Sequence, residues 1–304
     1  MPPPSPRFEP IPRDFGRELP KKYDQAAVGM LNQLARDYWE HTPPELRYHG
    51  WGGWGYTLLR TVYTPESDAL FPVAIERLRR LVRYWCHYTR FPAIGAYCEE
   101  HRVDYDAPNE EVFRRFFLEV VEDREGLADL DSSAGGDETA RFTALADYFR
   151  RWCQRVEADS GHPRDMDPRF ASCLVVDAES LAALAEIPDE LPPLRCPANR
   201  EEKADTLSTG YPAWMWLLEA RYMAMPAGER DDGYPYGALS QPYKGWLRVT
   251  PRALISTWVN HWQLNGDRGY CLGHDEEPEG SGVFVYDPEY GTYRRQREWE
   301  VRAI

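Results

Sequence analysis

Positive charge is what this chain has least of relative to need. It carries 36 Lys and Arg against 50 Asp and Glu, a formal net charge of −14, so nucleic-acid backbones and anionic membrane surfaces are on average repelled. Neither nucleic acid nor membrane is expected as a partner. No run of apolar residues approaches the ~20 that a spanning helix needs. Cysteine is sparse, with six in 304 residues, spread far apart and mostly beside large apolar or aromatic neighbours. That pattern suits reduced, partly buried thiols better than a disulfide framework.

The familiar signatures of catalysis are missing too. There is no G-x-x-x-x-G-K-[ST], no G-x-S-x-G, no H-E-x-x-H, no kinase set and no zinc-deaminase motif. No cofactor is expected, although a triad assembled only in space leaves no such trace. The nearest approach to a metal site is CHYTRFPAIGAYCEEH, which offers Cys86, His87, Cys98 and His101. Its spacing fits no common zinc motif and Cys86 falls on the apolar stripe of a helix, so core cysteines and surface histidines are expected there, with no metal.

What is present is core material. At 42% hydrophobic, the chain can bury one large core or two smaller ones. Residues 1–23 form a proline-rich arm with seven prolines in its first twenty positions and no apolar h-region. This argues for a segment lying extended or mobile, and for a cytoplasmic location with the nucleus also open.

Beyond the arm, a short amphipathic helix is expected over 24–40. The most patterned stretch follows, YHGWGGWGYTLLRTVYTPESDALFPVAIERL (48–78). Four glycines lead into a strand rich in β-branched and aromatic residues, and Thr64 and Pro65 then cap a helix. Leu70, Val73, Ala74, Leu78, Leu81, Val82 and Trp85 are expected on its buried face. Two later stretches repeat the order strand, cap, helix: 170–187 with Asp177 at the cap, and 244–262 with Thr250 and Pro251 at the cap. Residues 109–123 are ambiguous between helix and strand, 137–156 read as helix, and 211–225 read as a strand antiparallel to 245–250. A late strand is expected in GSGVFVYD, and the basic tail after it pairs at an edge.

These units predict an α+β protein built from two ferredoxin-like strand–helix modules, packed together or sharing a mixed or antiparallel sheet. The first module spans 24–165 and the second 166–304, with a long aromatic loop at 226–246. A doubly wound parallel sheet is not expected, because few regular βαβ units can be found.

Several residues stand out as site candidates. Arg60 lies in a strand apolar on both faces, so it needs either a structural ion pair or an anionic ligand. Trp51 and Trp54 fit either plugs at the end of a core or a stacking platform for a planar ligand. Tyr234, Tyr236 and Tyr243 punctuate the 226–246 loop, as a recognition loop or a tied-down excursion. His261 and Asp267 are the acid/base candidates, should the helix end turn back to bring them together.

Two segments, TVYTPESDALFPVAIERL and CLVVDAESLAALAEI, resemble uncharacterised intracellular proteins of filamentous fungi. The resemblance implies an intracellular protein and brings no activity or functional residues with it. The residues alone leave two classes. The first is a non-enzymatic binding or protein-interaction protein, as monomer or homodimer. The alternative is a small-molecule enzyme or ligand-binding protein with an inter-module pocket for an anionic or planar ligand.

Overall fold

The computed structural model describes Phe8, Leu34 and residues 53–88, 106–133, 137–160, 168–192, 213–226, 244–255, 257–258, 284–287 and 292–295. The centre of the fold is strand β1 (Trp54–Arg60), buried along its whole length. It is flanked by β2 (Phe116–Val121) and β3 (Cys173–Val176), both parallel to it. Strands β4 (Met215–Leu218) and β5 (Trp246–Val249) continue the sheet antiparallel, giving the order β2-β1-β3-β4-β5. Strands β6 (Phe284–Asp287) and β7 (Thr292–Arg295) form a separate antiparallel pair.

Helices cover both faces. The long helix α1 (Pro65–Tyr88) begins at a reciprocal cap: the Ser67 amide donates to the Thr64 hydroxyl at 3.1 Å and the Thr64 amide to the Ser67 hydroxyl at 2.8 Å. Glu66 and Asp68 add negative charge at its positive end. Phe71, Ala74, Leu78, Leu81, Val82 and Trp85 recur at helical spacing and are buried. They meet Trp54, Tyr56, Leu58, Leu174, Met215 and Leu247 on one face of the sheet. After α2 (Asp106–Arg114) and β2, the chain runs through α3 (Arg124–Ser133) into α4 (Glu138–Ser160). Phe142, Leu145, Phe149 and Trp152 of α4 pack on the opposite face, against Leu59, Val175, Trp216 and Trp246. The period-two alternation of the strands thus serves two separate cores.

The described residues include shorter helices as well. They are α5 (Pro168–Ala171), α6 (Ala178–Ala185), which joins the α1 layer through Leu181 and Leu184, and α7 (Ala220–Met223).

The mixed α+β sheet agrees with the sequence reading, and the antiparallel pairing of 215–218 with 246–249 was expected. The modules differ. Ferredoxin-like units would make neighbouring strands antiparallel throughout, whereas β2, β1 and β3 run parallel, with crossovers on both faces. These five strands form one sheet whose members come from both sides of the expected division, and its first three are wound as βαβ units. The first unit was hidden because α2 ends at Arg114 and β2 starts at Phe116, leaving one residue and no glycine or proline between them.

Smaller corrections follow the same logic. Val73, expected in the core, is 42% exposed, and Phe71 takes the buried position instead. The stripe running through positions 71, 74, 78, 82 and 85 leaves 73 about 140° from its centre. Past Thr250 the chain forms a 3-10 turn (Pro251–Ala253) before Leu254, Ile255 and Trp258 pack inward. Among the described residues, no helix is long and apolar enough to cross a membrane.

Candidate functional site

In sheets with parallel strands, ligands favour the carboxyl ends where chain directions diverge. Here those ends carry Arg60 of β1, Glu122 and Asp123 after β2, and Asp177 after β3. Arg60 is 6% exposed. Its Nε donates to the Val62 carbonyl at 3.0 Å, Nη1 to Glu122 Oε1 at 3.2 Å, and Nη2 to Ser67 Oγ at 3.3 Å and to Asp68 Oδ1. The guanidinium also lies 4.5 Å from the Phe71 ring centre and 4.8 Å from that of Tyr63. Asp68 turns its other oxygen to Arg124 Nη2 at 2.6 Å. Two cations and two carboxylates therefore close a neutral set, and the ion-pair alternative for Arg60 is the one formed.

The electrostatics agree. Desolvation raises the Asp68 carboxyl, but hydrogen bonds and charge from Arg124 and Arg60 outweigh it and hold the group below the usual carboxylate range. Burial pushes the Tyr63 phenol up to about 12, against the pull of Arg60. Next along, the Asp123 carboxylate accepts from the Tyr148 hydroxyl at 2.7 Å and from the Gly126 amide at 3.0 Å, which lowers it.

A second set closes around Asp177. Its carboxylate accepts from the Ser180 amide at 2.9 Å, from Arg141 Nη2 at 2.9 Å and from the Trp216 indole at 2.8 Å, while the Ser180 hydroxyl receives the Asp177 amide. Burial raises this carboxyl, and the Ser180, Arg141 and Trp216 hydrogen bonds reverse the effect and lower it. Beside it Arg248 lies 4.1 Å from the Trp214 ring centre and 4.8 Å from that of Trp216. Asp68, Asp123 and Asp177 are each held below their ordinary value, away from the near-neutral range that suits a general acid or base.

Compared with known proteins, the chain matches no family model, no curated protein and no solved structure.

Among the described residues a concave surface lies along β2, at one end of their sheet order. A groove of about 600 Å³ is walled by Phe71, Pro72 and Ile75 of α1 on one side and Trp152 of α4 on the other. Its floor is Glu119, Val120, Val121 and Glu122. Glu122 is 55% exposed at the rim. Among the described residues, no three of His, Cys, Asp and Glu gather closely enough to hold a metal ion.

The sequence candidates divide accordingly. Trp54 is fully buried, donates its indole hydrogen to the Val112 carbonyl at 2.7 Å and packs on Phe116 and Trp258, so it is a plug and not a platform. Trp51, Tyr234, Tyr236, Tyr243, His261 and Asp267 lie outside the described residues, as do Cys98 and His101. Cys86 is buried, and His87 Nε2 lies 3.0 Å from Glu110 Oε2. The groove was missed because its lining comes from β2, α1 and α4, three elements distant in sequence. The one local signal was the apolar run FFLEVV with a single acid inside it.

Proposed function

We propose that this protein is a non-enzymatic interaction protein, and that β2 is its recognition edge. The observation carrying this reading is the position of an apolar strand at one end of the sheet order among the described residues, bordered by a groove with apolar walls and two glutamates. Edge strands offer backbone donors and acceptors to an added strand, while flanking pockets select alternate side chains. The occupant that fits is an extended segment of a protein partner, alternating apolar residues with Lys or Arg. Apolar side chains would meet Phe71, Ile75 and Trp152, and a basic one the half-exposed carboxylate of Glu122. The net charge of −14 steers such a basic segment inward.

The small-molecule reading draws less support, since Arg60 is already matched by Asp68 and Glu122. The fungal resemblance adds no activity to either reading.

Fluorescence anisotropy with the full chain tests the proposal. The probe is a synthetic eight-residue peptide alternating valine and lysine, compared with a valine–glutamate peptide and an alternately N-methylated valine–lysine peptide. Strand addition is expected to give binding by the first alone, weakened by Ile75→Lys. Equal binding of the N-methylated peptide, or no binding at all, would sink the idea.

A further inference from the structure

The start of β1 holds a contact that the recognition groove does not use. Phe8, from the proline-rich arm, is half-buried against the lead-in to the sheet. Its ring centre lies 5.9 Å from that of Phe117 on β2. Gly53 makes the space: a Cβ built there would stand 2.1 Å from Cε2 of the Phe8 ring, 2.6 Å from Cδ2 and 2.8 Å from Cζ. Any side chain at 53 would therefore occupy the volume the ring fills. Gly53 also lies two positions before Gly55, whose register partner is Phe117. These two positions share one side of the strand, so a strip without side chains runs beside Phe117.

We propose that Gly53 and Phe117 form a docking cradle for an aromatic residue of a proline-rich segment, and that its occupant is this chain's own arm through Phe8. Covalent attachment presents the ring at an effective concentration far above that of a free peptide. Pro6, Pro10 and Pro12 flank Phe8 and lower the entropy lost when the segment docks. Aromatic contact with Phe117 supplies the specific element, because offset and tilted ring pairs are favoured at this separation. Phe117 belongs to the same strand as Glu119, Val120, Val121 and Glu122 of the groove floor. Phe8 is thereby placed at the amino end of the strand along which a partner segment would add. Its regulatory consequence, competition between arm and partner for β2, rests on the interaction reading above; the docking of Phe8 stands without it.

Trypsin tests the docking directly, since the Arg7–Phe8 bond is a cleavage site next to the docked ring. Loss of residues 1–7 is followed by intact mass in the full chain and in Gly53→Ala, which leaves the arm's own sequence unchanged. Cleavage tracks the population of the undocked arm when opening is fast, and the expected result is a rate about tenfold higher in Gly53→Ala. Equal rates overturn the proposal. Protection that grows with protein concentration also overturns it, because the ring would then come from a second copy. Should Gly53→Ala fail to fold, Phe8→Ala serves: hydrogen exchange across residues 116–118 accelerates if the ring covers β2, and unchanged exchange overturns the docking. None of these readouts requires a partner peptide, so failure here and failure of the interaction reading are separately visible.

Discussion

The Trp216 indole donates to Oδ2 of Asp177 at 2.8 Å, so one carboxylate ties strand β4 to the cap of α6. The same oxygen accepts from Arg141 of α4, which brings a third element to that point. Removing it opens the cap and leaves two buried donors short of a partner. Asp177→Ala is expected to cost about 2–4 kcal/mol in urea unfolding. Asp177→Asn keeps a good capping acceptor and should lose about half as much.

Acid sensitivity follows from the same group. The folded Asp177 carboxyl lies below its ordinary value, so the folded chain holds this proton less tightly than the unfolded chain does. The stability it contributes is fully present above the ordinary carboxylate range, near pH 4, and is lost as pH falls through the lower folded value. Urea midpoints measured between pH 6 and pH 3 should fall more steeply for the wild type than for Asp177→Asn. Parallel curves would assign the acid sensitivity to other carboxylates.

Arg60→Ala removes a buried cation from two partners that retain water. Because Asp68 and Glu122 are 42% and 55% exposed, solvent screens the ion pairs. The hydrogen bonds to Val62 and Ser67, with the contacts to Phe71 and Tyr63, make up the larger part. A loss of about 2 kcal/mol is expected by chemical denaturation, with only a partial return in Arg60→Lys, which cannot reproduce the planar fork.

The two glycines at the start of the sheet should respond differently to alanine. Gly55 has φ +150, and a Cβ there would meet the Phe117 carbonyl oxygen at 1.9 Å, a backbone atom with nowhere to go. Gly55→Ala is expected to destabilise by more than about 3 kcal/mol. At Gly53 only the Phe8 ring has to leave, and the cost should stay near the ~1.4 kcal/mol that a tenfold loss of docking represents. Thermal melts of both variants decide the matter, and similar losses would contradict it.

Burial pushes the Cys86 and Cys173 thiols far above their ordinary value. At pH 8 both should resist an aromatic disulfide reagent in the native chain and react once denaturant is added. Peptide mapping of the labelled protein identifies the sites. Labelling of either residue without unfolding would show that its surroundings open readily.

Local grammar was legible because it is written locally. Thr64, Pro65 and the acids after them announce a helix whose cap forms as expected, and Asp177 caps α6 with Ser180 completing the reciprocal bond. The strand expected over YTLLRTVYT forms two residues earlier, over 54–60, the strand expected over 211–225 pairs antiparallel only at 215–218 and turns helical at 220–223, and the ion-paired alternative for Arg60 was readable from the cost of an unpaired buried charge. Strand order was not. Residues 109–121 carry helix and strand in one uninterrupted run, so the first crossover could not be seen, and with it went the parallel neighbours of β1. Nor does any local pattern reveal that Phe8 meets Phe117, since a single aromatic residue among prolines has no periodicity to read.

The order β2-β1-β3 also sets a timetable for synthesis. Strand β1 leaves the ribosome long before either neighbour, since its register partners lie at 116–121 and 173–176. At roughly 5–20 residues per second, the segment WGYTLLR waits several seconds for its first edge and longer for its second. During that interval a strand buried along its whole length in the finished protein is apolar and open on both sides, the condition in which exposed hydrophobic segments are prone to non-native association. The capped helix α1, which emerges directly behind it and needs only local contacts to form, is the first shelter available.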